Sequence, residues 1–535
     1  MHLYSTETMT TMDKKDVDLR NSNILELFQG AQVLLTGATG FMGQVLMEKL
    51  LRTCQIDKLY IIIRPKKGMT EKERLKKIFD SSLYERLQRE QPNCISKVVL
   101  VTGDNEQRGL GLSKEDHALL VHQVNIIFHV AATVRFDEKL TTAVAINILG
   151  TKDMLDLARE MPHLKVSYHT YNSEVYPAPL FLQKIKFNIQ IQSMHLLILI
   201  QNLFVFSVLG DWPNTYSFTK ALAEDLIRDE ARGLPIGILR PSIVVNTASE
   251  PVVAWINNVY GAAGVVTITV MGLLKSMYCD KDNAADIVPV DMAINAALAI
   301  AWEVAQHTSD NKPVQYLNTE MKTTSKNEDI IPIYNYVSST QNPITWGEFM
   351  KLNEYGLNYP SLKYIWYYFF ILNKHRFIHN IYIVFLQLLP ALITDAGAKI
   401  MGKQPIMLKA YQKIFRFTDV IAYFSTKQWN FHNNNVQNLW KRMSPQDKIL
   451  FKFDMALLDW EVYLSSMIKG IRLYFLNEPF ESIEKAKTRY QRLKYLHYTI
   501  FYSVQLILLY VAYKIVLHYW ITFKDVLLEI LQYCY

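Results

Sequence analysis

Apolar runs and amphipathic stretches alternate along the first third of the chain. Ala31–Thr36, Lys58–Arg64, Lys97–Thr102 and Asn125–Ala131 are short, largely apolar runs bounded by polar or glycine positions, the pattern of strands buried on both faces. Between them, Phe41–Thr53 repeats its apolar residues at helical spacing and residues 70–90 read as a charged helix. A helix from about 138 to 160 leads to a fifth short strand at about 164–170, and α/β character resumes from about 212 to 330. Strand and helix in alternation predict an α/β fold with a doubly wound parallel (Rossmann) sheet covered by helices on both faces.

Three stretches depart from that rhythm. Residues 187–210 contain no Asp, Glu, Lys or Arg, yet Gln, Asn and Ser punctuate them, so an interfacial or irregular insertion is expected there rather than a membrane span. Residues 362–394 are aromatic and apolar but broken by Lys374, His375, Arg376 and Pro390, which predicts a hydrophobic or membrane-apposed element. Residues 495–523 carry a single charge, Lys514, and at about 1.5 Å per residue they are long enough to cross a hydrocarbon core of about 30 Å. Lys485, Lys487, Arg489, Arg492 and Lys494 lie just upstream and favour the cytosolic side. The expected organisation is a reductase-type unit over 28–345 with an atypical segment at 168–210, a smaller helical C-terminal domain over 360–480, and a transmembrane anchor at 495–523.

Composition narrows the picture. The 535 residues are 50% hydrophobic and 20% charged, which excludes a disordered polymer, and a net charge of +7 is too mild for a nucleic-acid-binding face. The polar N-terminus shows no signal-peptide core. Four scattered cysteines without CxxC spacing fit a reducing compartment, and no HExxH-like cluster appears, so neither a disulfide framework nor a metal is expected. Nothing in the sequence bears on oligomeric state.

The run Thr36-Gly37-Ala38-Thr39-Gly40-Phe41-Met42-Gly43 closes the first strand and opens the first helix. Its three glycines suit a tight turn, close approach of backbone to a pyrophosphate, and close helix–strand packing, while the helix N-terminus offers N–H groups to the phosphates. At the end of the second strand, where NAD sites place an acid, stands Arg64, followed by Lys66 and Lys67; these cations suit the 2′-phosphate of NADPH. Tyr216 and Lys220 share one face of a helix at i and i+4, pairing a phenol able to protonate a carbonyl oxygen with an ammonium that lowers its pKa.

These motifs, with His129 to Asp137 and Asn147 to Thr151, resemble the extended short-chain dehydrogenase/reductases. Ile63 to Gly68, Gly210 to Tyr216, Leu239 to Val244, Ile287 to Asp291 and the stretch from Met443 through Trp460 to Tyr474 are more closely similar to the fatty acyl-CoA reductases. The resemblance implies NADPH-dependent, four-electron reduction of a long-chain acyl-CoA to a primary alcohol at a membrane, in the endoplasmic reticulum or peroxisome. It implies Tyr216 as acid, Lys220 as ribose ligand, and a hydroxyl after the fifth strand as carbonyl polariser. It also adds Asp104 and Ala131 to the cofactor site. Where the family carries a Ser-Thr-Ala-Tyr-like run, this chain reads Ser167-Tyr168-His169-Thr170-Tyr171-Asn172-Ser173; an ungapped match puts Asn172 at the polarising position with Ser173 beside it, and a deletion brings in Thr170. Two other readings remain at this point: a hydroxysteroid-like membrane reductase on the same fold, and an inactive lipid- and cofactor-binding homologue.

Overall fold

The computed structural model describes residues 21–64, 68–170, 209–210, 212–309 and 331–533. Lys66, Lys67, Asn172, Ser173 and residues 187–208 lie outside the described residues.

The five expected strands become β1 (Gln32–Thr36), β2 (Lys58–Ile63), β3 (Val98–Thr102), β4 (Ile126–His129) and β5 (Val166–Thr170), and β6 (Ile236–Pro241) lies in the stretch read only as resumed α/β character. The shorter strands β7 (Ile243–Val245), β8 (Ser276–Tyr278), β9 (Ile287–Pro289), β10 (Ile333–Tyr336) and β11 (Ile371–Asn373) follow. The main sheet has the order β10-β6-β5-β4-β1-β2-β3, parallel at every pairing. Its strands are apolar on both faces because helices cover both; Leu34 and Leu35 are neighbours on β1 and both are fully buried. Connections run one way from β1 to β3 and the other way from β4 onward. The crevice between the C-terminal ends of β1 and β4 is therefore the switch point at which doubly wound sheets bind ligands.

The charged segment at 70–90 is two helices, Glu71–Phe79 and Glu85–Glu90, separated by a tight turn at Ser82–Tyr84. Its first helix starts with a capping box, Thr70 and Glu73 each bonding the other's backbone N–H. The turn lets Phe79, Leu83, Tyr84 and Leu87 all reach the core, which one straight helix would not allow.

The C-terminal helices share the cores of the sheet region. Leu439, Phe451 and Phe453 join the core that holds β1 and the helix Val290–Ser309. Leu464, Met467 and Ile468, on the helix Trp460–Gly470, join the core under β7 and β8. A buried charge cluster reinforces the join. Lys49 Nζ donates to Glu250 (2.5 Å) and to the Leu450 carbonyl (2.7 Å), and Arg52 reaches both Glu48 (2.6 Å) and Glu250 (2.9 Å). Burial alone would raise the Glu250 carboxyl, but Lys49 and Arg52 outweigh it and hold the group at about 2.

The helix Ile483–Tyr533 leaves the body as one continuous rod. Its base is tied down by Arg489 donating to the Tyr364 carbonyl (3.1 Å) and by Trp366 Nε1 donating to His497 (3.1 Å). Beyond that base it is apolar and exposed, long enough to cross a membrane.

Candidate active site

The glycine turn sits at the switch point. Gly37 has φ +75, and a Cβ there would stand 2.8 Å from the Ala131 backbone nitrogen, so β1 can turn against the loop after β4 only with glycine. A Cβ on Gly43 would stand 2.1 Å from the Gly37 carbonyl oxygen, so the helix Phe41–Thr53 starts directly beneath the turn for the same reason. Gly40, the N-cap, would bring its Cβ no closer than 3.2 Å to protein, and no side chain caps the helix. A first helical turn with no side-chain cap, entered through glycine, fits a dinucleotide pyrophosphate. Thr39 offers its carbonyl to Gln44 (3.0 Å), which fixes the turn around Phe41 and Met42.

Thr36 has no exposed side chain. Its hydroxyl bridges β1 to β4, pairing with His129 Nδ1 (2.9 Å) and accepting from the Ala131 N–H (3.3 Å). Thr36 and Ala131 thus shape the cradle through the backbone. Burial, then His169 and Lys220, push the His129 imidazole well below its ordinary pKa, and burial with Lys220 takes His169 to about 3. Both rings are neutral near pH 7 and serve as hydrogen-bonding members of the wall rather than proton carriers.

At the C-terminal end of β2, Arg64 extends a half-exposed guanidinium 3.7 Å from both Asp104 and Glu106. Asp104 follows β3, so its carboxylate orients Arg64 across the strand ends. Arg74, on the next helix, donates to the Arg64 carbonyl, and burial together with the Arg64 charge lowers its pKa. Two guanidiniums brought together at the edge of a dinucleotide crevice suit a phosphate dianion. Sequence reasoning missed Arg74, although its place ten residues after Arg64, in the first helix past the loop, was a usable signal.

The helix Thr215–Glu230 carries Tyr216 and Lys220. Asn214 caps it by accepting from Ser217 N (2.8 Å), and Thr215 donates to the Phe136 and Glu138 carbonyls (3.3 and 3.2 Å). Asn147, also unassigned from sequence, ties this helix to the loop after β4: its amide donates to Thr219 Oγ1 (2.9 Å) and accepts from Thr133 N (2.9 Å). Lys220 is buried, with Nζ donating to the carbonyl of Thr170 at the end of β5 (2.9 Å), and burial lowers its pKa to about 7. Thr170 is thereby placed at the site; Ser173 lies outside the described residues.

Tyr216 also forms part of a second feature. Its ring lies 5.8 Å from that of Phe136, and both line an apolar cavity, partly open to solvent, with Ala262, Val265, Met277 and Trp346. Of the aromatic and apolar stretch 362–394, only Leu372 reaches the lining; the rest packs elsewhere or faces outward. Among the described residues no cluster of His, Cys, Asp or Glu could hold a metal ion.

Residues 35–297 match an NAD-binding family model described as "Male sterility protein", and residues 386–478 match a second model of the same description. The chain is 36% identical over 512 residues to fatty acyl-CoA reductase wat of Drosophila melanogaster, covering 94% of this chain and 95% of that one. It is 33% identical over 500 residues to fatty acyl-CoA reductase 2 of Homo sapiens, with 89% and 91% covered. Among solved structures, the reductase domain of a nonribosomal peptide synthetase from Mycobacterium tuberculosis superposes with a TM-score of 0.52 at 17% identity, over 86% of this chain and 96% of that one. The terminal R domain of the myxalamid biosynthetic pathway gives 0.51 at 18% identity, over 83% and 91%. These two likenesses speak to the fold.

Proposed function

The chain belongs to the fatty acyl-CoA reductase family, an oxidoreductase built around a nicotinamide-cofactor site, and we propose that it reduces long-chain fatty acyl-CoA to the primary alcohol with NADPH, releasing CoA. One observation carries the reading: Tyr216 stands on the helix that places Lys220 at the end of β5, and the same ring lines the apolar cavity. An acid able to serve a carbonyl and a lining able to take an alkyl chain therefore meet at one residue.

The cofactor would lie on the turn formed by Gly37, Thr39, Gly40, Phe41, Met42 and Gly43, between Thr36 and Ala131, with Arg64, backed by Asp104 and joined by Arg74, on its 2′-phosphate. Bound there, reduced nicotinamide supplies a hydride twice per acyl-CoA. The Tyr216 phenol gives its proton to the substrate oxygen as that oxygen gains negative charge, in the thioester round and again in the aldehyde round. Collapse of the first tetrahedral adduct returns the oxygen's proton to the Tyr216 phenolate, breaks the carbon–sulfur bond and sends CoA off as the thiolate, leaving the aldehyde and a protonated Tyr216 for the second round. Lys220, when charged, lowers the phenol pKa and holds the ribose hydroxyls; the phosphates of a bound dinucleotide favour that charged form. A hydroxyl after β5, Ser173 or alternatively Thr170, would polarise the carbonyl.

In the proposed organisation the reductase unit and the helical region face the cytosol. Residues 495–523 cross the membrane, and the basic residues 485–494 sit at its surface. The test is stoichiometry in membranes: acyl-CoA should consume two equivalents of NADPH, release one free thiol and yield one alcohol. One equivalent of NADPH with free aldehyde as sole product would contradict alcohol formation; no thiol release with any acyl-CoA would contradict the substrate.

A further inference from the structure

The stretch Arg376–Ile400 is long and apolar enough to be mistaken for a span, but its faces are reversed. The residues it turns toward the protein are polar. His379 pairs with Ser276 (2.8 Å), Gln387 accepts from the Lys275 N–H (3.3 Å), and Asp395 accepts from the N–H groups of Met407 and Leu408 (2.9 Å each). These positions, with buried Ala391 between the last two, recur at multiples of four, so they form one stripe. The residues turned outward are Phe377, Ile381, Phe385, Leu389, Leu392 and Ile393; Phe385 is 62% exposed while Gln387 is fully buried. A surface helix in water has the opposite arrangement, and a contiguous apolar face of this size marks a contact with another apolar phase.

The surroundings identify that phase. Lys275, beside Gln387, also donates through Nζ to the Tyr367 carbonyl (2.9 Å). The Tyr367 ring packs on Tyr490 (5.1 Å) and Tyr498 (5.9 Å), at the base of the long apolar helix. Arg376–Ile400 is therefore joined, through Lys275 and Tyr367, to the base from which the long helix leaves the body. Basic residues bracket it, Lys374 (also paired with Asp280, 2.8 Å) and Arg376 (3.8 Å from Asp419) at one end and Lys399 and Lys403 at the other, an arrangement that suits anionic headgroups. A spanning helix would need lipid or other membrane helices all round, whereas this one rests its inner stripe on β8 and on the N-terminus of the helix Met407–Ser425.

We propose that Arg376–Ile400 lies in the membrane interface with its outer face in the acyl-chain region, a second lipid contact that seats the body on the bilayer. This rests on the membrane reading of residues 495–523. It puts the bilayer across this helix from β8, whose residue Met277, like Leu372 of β11, lines the apolar cavity.

The experiment uses the full-length chain with Cys534→Ser, in phosphatidylcholine–phosphatidylserine vesicles whose acyl chains carry bromine. A fluorophore is placed singly by Phe385→Cys, Leu392→Cys, Leu508→Cys in the anchor, or Lys114→Cys on the helix after β3. Cys54, Cys94 and Cys279 are buried and stay unlabelled. Emission at 385 and 392 should be quenched to the same fraction as at 508, with no loss at 114. Quenching at 508 with 385 and 392 behaving like 114 would overturn the inference and leave the anchor standing. No quenching at 508 would overturn the membrane reading and the inference with it.

Discussion

Arg64→Ala tests the coenzyme assignment most sharply. The Arg64 side chain is 56% exposed and lies 3.7 Å from Asp104 and Glu106, beyond hydrogen-bonding range of both, so it is aimed by two carboxylates without being saturated by them. A single charge near a phosphate dianion at about 4 Å is worth roughly 2 kcal/mol in a water-like dielectric and more as the site dries. At 1.4 kcal/mol per decade, 2 kcal/mol is about thirtyfold in kcat/KM. Removing Arg64 also leaves Asp104 and Glu106 facing the phosphate, which adds repulsion. NADH lacks the group and should be indifferent. Initial rates with NADPH and NADH at fixed acyl-CoA, for wild type, Arg64→Ala and Arg74→Ala, give the ratio directly. The expected result is a fall of about thirtyfold or more for NADPH in Arg64→Ala, a smaller fall in Arg74→Ala, and NADH unchanged within about twofold. An equal fall with both coenzymes would mean Arg64 acts on the fold or on a shared part of the coenzyme, and the phosphate assignment would be refuted.

Other expectations follow from the same geometry. Lys220 is held to about 7 by burial, so in the free enzyme its active ammonium form is lost as pH rises; kcat/KM should fall about tenfold per unit on the alkaline side with a break near 7, and a flat profile to pH 9 would contradict it. Glu250→Gln leaves Lys49 buried without its carboxylate and Arg52 with Glu48 alone, and should cost about 3–5 kcal/mol in chemical denaturation; because the native carboxyl sits near 2, below its unfolded value, the stability it adds is present above the ordinary carboxylate range and fades as pH falls toward 2. Ala262→Phe fills part of the cavity and should shift the preferred acyl chain to shorter lengths, each displaced methylene weakening binding by about 0.8 kcal/mol; unchanged chain preference would remove the cavity from the acyl path.

Local chemistry was legible in the sequence where it depends on neighbours along the chain. Continuous apolar runs marked five of the seven strands of the sheet, because parallel strands bury both faces, and the glycine spacing placed the turn at the correct strand end. The fourth-residue step from Tyr216 to Lys220 places them on one helix face. What was not legible depends on pairing across the chain. Nothing near Glu250 announces Lys49 and Arg52, and nothing near Asn147 announces Thr219. The edge strand β10 is only Ile333–Tyr336, too short to stand out. Arg376–Ile400 shows a different limit: periodicity separates polar from apolar faces, but which face meets protein depends on whether the surroundings are water or lipid. The carbonyl polariser stays a choice between Ser173 and Thr170 in the proposal.

The central claim is that this site makes fatty alcohol with Tyr216 as its acid. Wild type and Tyr216→Phe, expressed in a cell without endogenous fatty alcohol and compared by lipid extraction, test it most directly. The account predicts long-chain primary alcohol from wild type and, at equal protein and equal NADPH affinity, none above background from Tyr216→Phe. Alcohol from both at similar rates would contradict the assignment of the acid, and alcohol from neither, with both proteins folded and binding NADPH, would contradict the proposed reaction.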